Sequence, residues 1–414
     1  MSDGMPLRTP WNAALAAATL LGYRGTRVDE DTLLARARAA TGLHDFGDPA
    51  FLVPLRLLLQ DFAHHAHADA TGRQVFASLV GAALANRLRL VAWPRAYPDL
   101  PATPITGPIV IAGLPRTGTT LLQNLLAAVP GLRTLRGWET RLPSAPPGVA
   151  TPRVLAAHRR RYEADMRFAR RVSPRLMASH EFGTDVPEEC NPLLQNAFQL
   201  LHTGVFTAPT HEAHLYATGF RGAYDMHRPH LAALAYRQPA CTWVLKAPAH
   251  MAALPELLRA YPDARVVFTR RDAGSVAAST AGLALCLQQL VTPAPDRAAV
   301  GARVLPMLAR MQDAARAARA QWPASAPRFL DVDYDAIVES PLPTVRAILA
   351  HFALPEPPGT ADAVLRYLRQ ARRARSVRAR YTLAEFGLDA AQARRALPPL
   401  PGAMPAASEH ARSA

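Results

Sequence analysis

The chain has 414 residues, half of them hydrophobic. That suffices for one large α/β domain with an appendage or for two ordinary domains, and it excludes a mostly disordered chain. The net charge is +15, yet the basic residues are spread along helical stretches with no recognisable DNA-binding motif; a small polyanionic ligand and a charged surface explain the balance as well as nucleic acid does, and a nucleic-acid partner, which would rest on net charge alone, is not expected. Of the 47 basic residues only Lys246 is a lysine, and with the abundance of Ala and Pro this bias is one that a GC-rich genome would produce by itself. A site that needs a compact point charge resists replacement of Lys by Arg, which singles out Lys246. Cys190, Cys241 and Cys286 are widely spaced and suggest neither a disulfide framework nor a metal site, which fits a reducing cytoplasm. No run of about 20 uncharged apolar residues is present, so no membrane span is expected. The Ala-rich stretch after Trp11 runs on into helical sequence and is read as a helix, not a signal peptide.

Residues 1–105 read as a helical N-terminal region. Apolar residues recur at helical spacing in 12–22, 31–40, 51–64 and 74–88, with Asp29 and Asp48 as cap candidates. A Pro-rich linker follows over 94–108. From 106 to 395 the texture changes. GPIVIAG at 107–113 is a short β-branched run that reads as a buried strand, followed by a helix over 119–129. Further strands are expected at 241–248, 264–271 and 327–334, each with a helix after it. Such alternation implies an α/β fold with a mostly parallel sheet between helical layers. Residues 151–235 interrupt it as a helical, His-rich insert, expected to be a lid over a second substrate. The Pro- and Ala-rich 396–414 is expected to be a flexible tail.

The strongest local signal is IVIAGLPRTGTTLLQNLL. A strand runs into a Gly-containing loop and then straight into a helix, which turns backbone N–H groups and the positive helix end toward an anion. Gly113 and Gly118 have the spacing of an ATP-binding phosphate loop, but Thr119 stands where such a loop carries Lys, and Arg116 comes earlier. A kinase or ATPase needs that Lys on the β- and γ-phosphates, so a nucleotide without a γ-phosphate is expected. By themselves, Arg270, Arg271 and Asp272 would read as a solvated strand end with a local ion pair.

The loop PRTGTTLL resembles the 5′-phosphosulfate loop of sulfotransferases that use 3′-phosphoadenosine 5′-phosphosulfate (PAPS). WVLKAPAHMAALPELLRAYPDARVVFTRRDAGSVAAS is similar to that family's second signature, and DVDYDAIVESPLPTVRAILAHFAL and YTLAEFGLD resemble a bacterial branch of it. The likeness covers most of 107–390. It implies a phosphate-loop-like three-layer fold related to nucleotide kinases, and sulfuryl transfer from PAPS to an acceptor hydroxyl without a metal. Arg116, Thr117, Gly118, Thr119 and Thr120 would hold the 5′-phosphosulfate. An Arg at a strand end and a Ser eight residues later would grip the 3′-phosphate. Arg271 and Ser279 fit that spacing, whereas Arg270 with Ala278 offers no hydroxyl. Lys246 would place its charge on the sulfuryl group.

A base for the acceptor proton is also needed. In the animal branch a His follows the strand-end Lys by two residues; here Pro248 stands in that place and His250 lies two further on. Glu139 in RGWET, His180 in SHEFGTDVPEECNPLL, and His250 remain candidates. Glu139 could also be a helix-end carboxylate paired with Arg136 or Arg141, and Glu188 with Glu189 a capping pair opening a helix. His202, His211, His214, His227 and His230 show no metal spacing and are read as lid surface or acceptor pocket. Leu193, Leu194, Phe198, Leu200, Leu201 and Phe206 favour a hydrophobic acceptor alcohol over a sugar, although core packing explains them equally well. A small-molecule kinase and a catalytically inactive nucleotide-binding protein are the alternatives; Thr119 argues against the first, and intact Arg116, Lys246, Arg271 and Ser279 against the second.

Overall fold

The computed structural model describes residues 8–399, apart from 21, 22, 24, 180, 203, 324–326 and 374–380. The chain divides into two compact units, each assembled from three separate stretches.

The first unit comprises Met1–Ile105, Arg136–Ala240 and Ala281–Val304 and is helical among its described residues. Helices Glu30–Thr41, Leu52–His65 and Ala70–Ala96 bury Leu33, Leu55, Leu58, Phe76, Val80, Leu84 and Leu88 in one core. Phe62 stacks on Phe76 at 3.8 Å, and Phe206 meets both rings edge-on. Asp29 caps its helix by accepting from Thr32 N at 2.9 Å, as the sequence suggests, and Asp69 does the same for Gly72 N at 2.7 Å.

The helix expected over 74–88 is longer, Ala70–Ala96, and continues through Pro94 into the segment read as a linker. It is the one described helix long and apolar enough to cross a bilayer. Its inner face lies in the unit's core, and Arg87 on it donates to the carbonyls of Phe46 and Asp48, so it is read here as a core helix.

The second unit comprises Thr106–Leu135, Cys241–Thr280 and Leu305–Ala414. It holds a five-stranded sheet: β1 (Ile109–Gly113), β2 (Leu132–Thr134), β3 (Thr242–Lys246), β4 (Arg265–Arg270) and β5 (Phe329–Asp333), in the order β2-β3-β1-β4-β5. Every pairing is parallel. Four of these strands fall where the β-branched runs predict them, and the three-residue β2 is an addition. Ile109 and Ile111 point with Val244, Val267 and Val332 into a core closed by Leu122, Leu125, Val345, Ile348 and Val364. Those last residues come from the helices Thr119–Ala127, Pro341–His351 and Thr360–Arg373. The fold is thus α/β with a parallel sheet. Within this unit the buried pair Arg319–Asp331 (2.7 and 2.8 Å) ties a helix to β5, with the guanidinium over Phe268 and Phe329. β1 lies between β3 and β4, so the strand order reverses at its carboxyl end, which is where open α/β sheets leave a ligand crevice.

Candidate active site

All the donor-site residues of the second unit lie at the carboxyl ends of β1, β3 and β4. β1 must end in glycine. A Cβ on Gly113 would sit 2.0 Å from Thr269 Oγ1 and 2.9 Å from Thr117 Oγ1. These two hydroxyls are 2.6 Å apart, and Thr117 Oγ1 also donates to Leu114 O at 2.6 Å, so the Thr117 side chain closes the loop onto β4. Its hydroxyl is thereby buried, and what Thr117 can offer an anion is its backbone N–H. Thr119 is likewise buried. Gly118 adopts φ +91°, with Tyr334 and Ile337 filling the space beside it, and the helix Thr119–Ala127 starts immediately after. The first turn of a helix leaves N–H groups without intrahelical acceptors.

Arg116 holds a left-handed backbone, φ +69°, which disfavours any side chain with a Cβ. Backbone strain of this kind concentrates at functional loops. Its Nε donates to Ser279 Oγ at 3.0 Å, and Arg271 Nη1 donates to the Arg116 carbonyl at 2.9 Å. Arg271 also stacks over the Tyr334 ring at 4.0 Å. Its neighbour Arg270, the last residue of β4, turns to Asp333, 2.9 Å away, so one arginine goes to an ion pair and the next, just past the strand, to the loop. Asp272 accepts from Ser275 N at 2.8 Å, and that bond holds its carboxyl below the usual range. Lys246 is fully buried and level with Ile111 on β1, and its Nζ donates to Thr120 Oγ1 at 3.3 Å. The structure therefore brings Arg116, Thr120, Lys246, Arg271 and Ser279 around one loop. The Arg116–Ser279 bond was not legible in the sequence, which assigned the two residues to opposite ends of the nucleotide. Neither was Tyr334, although it sits in the DVDYD stretch.

Glu139 belongs to the first unit, in the single 3₁₀ turn Gly137–Thr140. It is buried, and its Oε2 accepts from Arg136 N at 2.9 Å. The guanidinium of Arg136 lies 3.7 Å from Asp185, and that of Arg141 pairs with Asp165. The turn is pinned from outside: Gly137 N donates to Val186 O and Trp138 N to Thr184 O, both at 3.1 Å. His158 Nε2 donates to Arg141 O at 2.8 Å, and burial lowers the pKa of its ring. His250, in the second unit, is fully buried. His180 lies outside the described residues.

Several expectations change. His211, His227 and His230 are fully buried and are not lid surface. Glu188 and Glu189 do not open a helix: Glu188 Oε1 accepts from Glu189 N at 2.8 Å, Glu189 Oε2 from Asn191 Nδ2 at 2.7 Å, and the helix starts at Asn191. Leu193, Leu194, Phe198 and Phe206 are buried, so core packing accounts for them and they carry no information about the acceptor.

The sulfotransferase family model matches residues 108–358, well over half of the chain, and the chain belongs to that family. Among solved structures it is similar to the sulfotransferase STF1 from Mycobacterium tuberculosis H37Rv, with 28% identity and a TM-score of 0.77 over 89% of this chain and 98% of that one. STF9 from Mycobacterium avium shows the same fold at 23% identity and a TM-score of 0.77, over 89% of this chain and 95% of that one. No curated protein matches. The protein is a sulfotransferase.

Proposed function

We propose that this sulfotransferase takes its sulfuryl group from PAPS and passes it to the hydroxyl of a small-molecule acceptor. The observation that carries the donor assignment is the bonded set Arg271–Arg116–Ser279 on a loop that lacks the ATP-binding lysine. A guanidinium and a hydroxyl at this place suit a phosphate. The glycine at 113, where a Cβ would clash, and the helix start at Thr119 fit a second anion held by backbone N–H groups.

In the proposed step the acceptor oxygen forms a bond to sulfur as the bond from sulfur to the 5′-phosphate oxygen breaks. That oxygen leaves with the electron pair on adenosine 3′,5′-bisphosphate. Lys246 and Arg116 neutralise the charge growing on the sulfuryl and bridging oxygens. A base must take the acceptor proton, and of Glu139, His180 and His250 we assign Glu139, because its place in RGWET just after the phosphate-loop helix resembles the glutamate base of other sulfotransferases. The three widely spaced cysteines support a reducing cytoplasm, and the resemblance of DVDYDAIVESPLPTVRAILAHFAL and YTLAEFGLD to a bacterial branch of the family supports a bacterial enzyme.

Isothermal titration calorimetry with adenosine 3′,5′-bisphosphate and with ATP–Mg²⁺, on wild type and Arg271→Ala, tests the donor. Micromolar bisphosphate binding, lost in the variant, with little ATP binding is expected. ATP–Mg²⁺ binding that ignores the 3′-phosphate would overturn the assignment in favour of a kinase-like protein.

A further inference from the structure

A buried polar network holds the turn that carries Glu139, and all its members lie in the first unit. His230 Nε2 is 2.9 Å from the carbonyl oxygen of Glu139. A carbonyl can only accept, so Nε2 carries the proton and Nδ1, 3.0 Å from Asn196 Nδ2, must accept. The ring is thereby fixed as one neutral tautomer, in keeping with burial that lowers its pKa to about 4. Asn196 Oδ1 accepts from Asn86 Nδ2 at 3.1 Å, which also donates to Thr140 O at 2.9 Å. Asn86 Oδ1 accepts from Leu142 N at 2.8 Å.

Each nitrogen and oxygen of these three side chains is engaged. Three of the bonds end on the backbone of residues 139, 140 and 142. Apolar side chains would fill the same volume without the cost of burying polar groups. What a fully satisfied network adds is a single arrangement of the backbone it grips.

We propose that His230, with Asn196 and Asn86, is a positioning residue that fixes Glu139 for proton abstraction. The proposal rests on Glu139 being the base. His230 touches no reacting atom: it holds the Glu139 carbonyl, and so sets where the turn Gly137–Thr140 directs the carboxylate. The neutral tautomer is essential to this, because Nδ1 must accept from Asn196 while Nε2 donates to the turn.

The test is a double-mutant cycle of His230→Phe with Glu139→Gln, read by single-turnover transfer from radiolabelled donor and by bisphosphate titration. Phenylalanine keeps a planar ring and removes both bonds. The expected result is a fall in kcat of about tenfold or more, with the bisphosphate Kd within about twofold of wild type, since a misplaced base costs rate and not donor binding. His230→Gln, which can still donate to the Glu139 carbonyl, should recover part of the rate. In the Glu139→Gln background, His230→Phe should change the residual rate by less than about twofold. An undiminished effect in that background would overturn the positioning role and leave Glu139 as the base. A Glu139→Gln enzyme with wild-type kcat would remove the base, and the proposal with it. Asn196→Ala, which releases the lock on Nδ1, is run through the same cycle, so a folding defect in His230→Phe does not close the test.

Discussion

Every other basic residue of the chain besides the histidines is an arginine, so the cost of Lys246→Arg measures what one site demands. Lys246 is fully buried, and its Nζ approaches Thr120 Oγ1 at 3.3 Å in the first turn after the loop. A guanidinium keeps the charge but spreads it over a planar fork that cannot contract to the ammonium's position. Losing one charge-assisted hydrogen bond to a developing charge costs about 1.5–3 kcal/mol, which corresponds to about 10- to 150-fold in kcat. Because the slot is closed, the larger head also overpacks it, at about 1–3 kcal/mol of stability. Lys246→Met removes the charge and should lower kcat by about 10²- to 10³-fold. Single-turnover transfer gives the rate, bisphosphate titration shows that the donor site persists, and urea unfolding gives the stability. A Lys246→Arg enzyme within about threefold of wild-type kcat would refute the demand for a point charge and leave the lone lysine as chance survival.

Three further predictions follow from other contacts. Arg116→Gly and Arg116→Ala should both lose donor binding, but the glycine variant should unfold at higher urea by about 1 kcal/mol, since only alanine retains the cost of φ +69°; equal midpoints would show that the loop is not strained. Asp331→Ala leaves the guanidinium of Arg319 buried without its partner carboxylate, and should cost about 3–5 kcal/mol in chemical denaturation; a loss below about 1 kcal/mol would mean that solvent reaches the pair. Burial lowers the pKa of His230 from 6.5 to about 4, so as pH falls the unfolded chain takes up a proton that the folded chain refuses. The stability it contributes is intact above pH 6.5 and is lost between there and about pH 4, on the order of 3 kcal/mol, and His230→Phe should flatten the urea midpoint across that range.

The strands β1, β3, β4 and β5 were legible because each is a short apolar run bounded by turn residues, and the anion loop because its glycines sit between strand and helix. β2 was not: three residues, Leu132–Thr134, give no periodicity, and pairing with β3 alone makes them a strand. Pro94 reads as a breaker, yet the helix runs through it to Ala96, where tertiary packing of Trp93 outweighs the missing donor. The order of anion-binding residues along the chain could be read, but not that Arg116 would bond Ser279, 163 positions away. Asn86, Asn196 and His230 have ordinary residue types and no local pattern; only the closed fold gives them a common purpose.

The two units are threaded through each other along the chain, which bears on how the polypeptide becomes an enzyme as it leaves the ribosome. The first unit needs the stretch that ends at Val304, and the sheet waits for β5 at Phe329–Asp333. Most of the nascent chain must therefore emerge before either part can close, and many contacts join residues far apart in sequence, which slows folding. Neither unit can be cut out as a contiguous fragment. An early stop, or a cleavage near Ala240, would disable the donor loop and the Glu139 turn together.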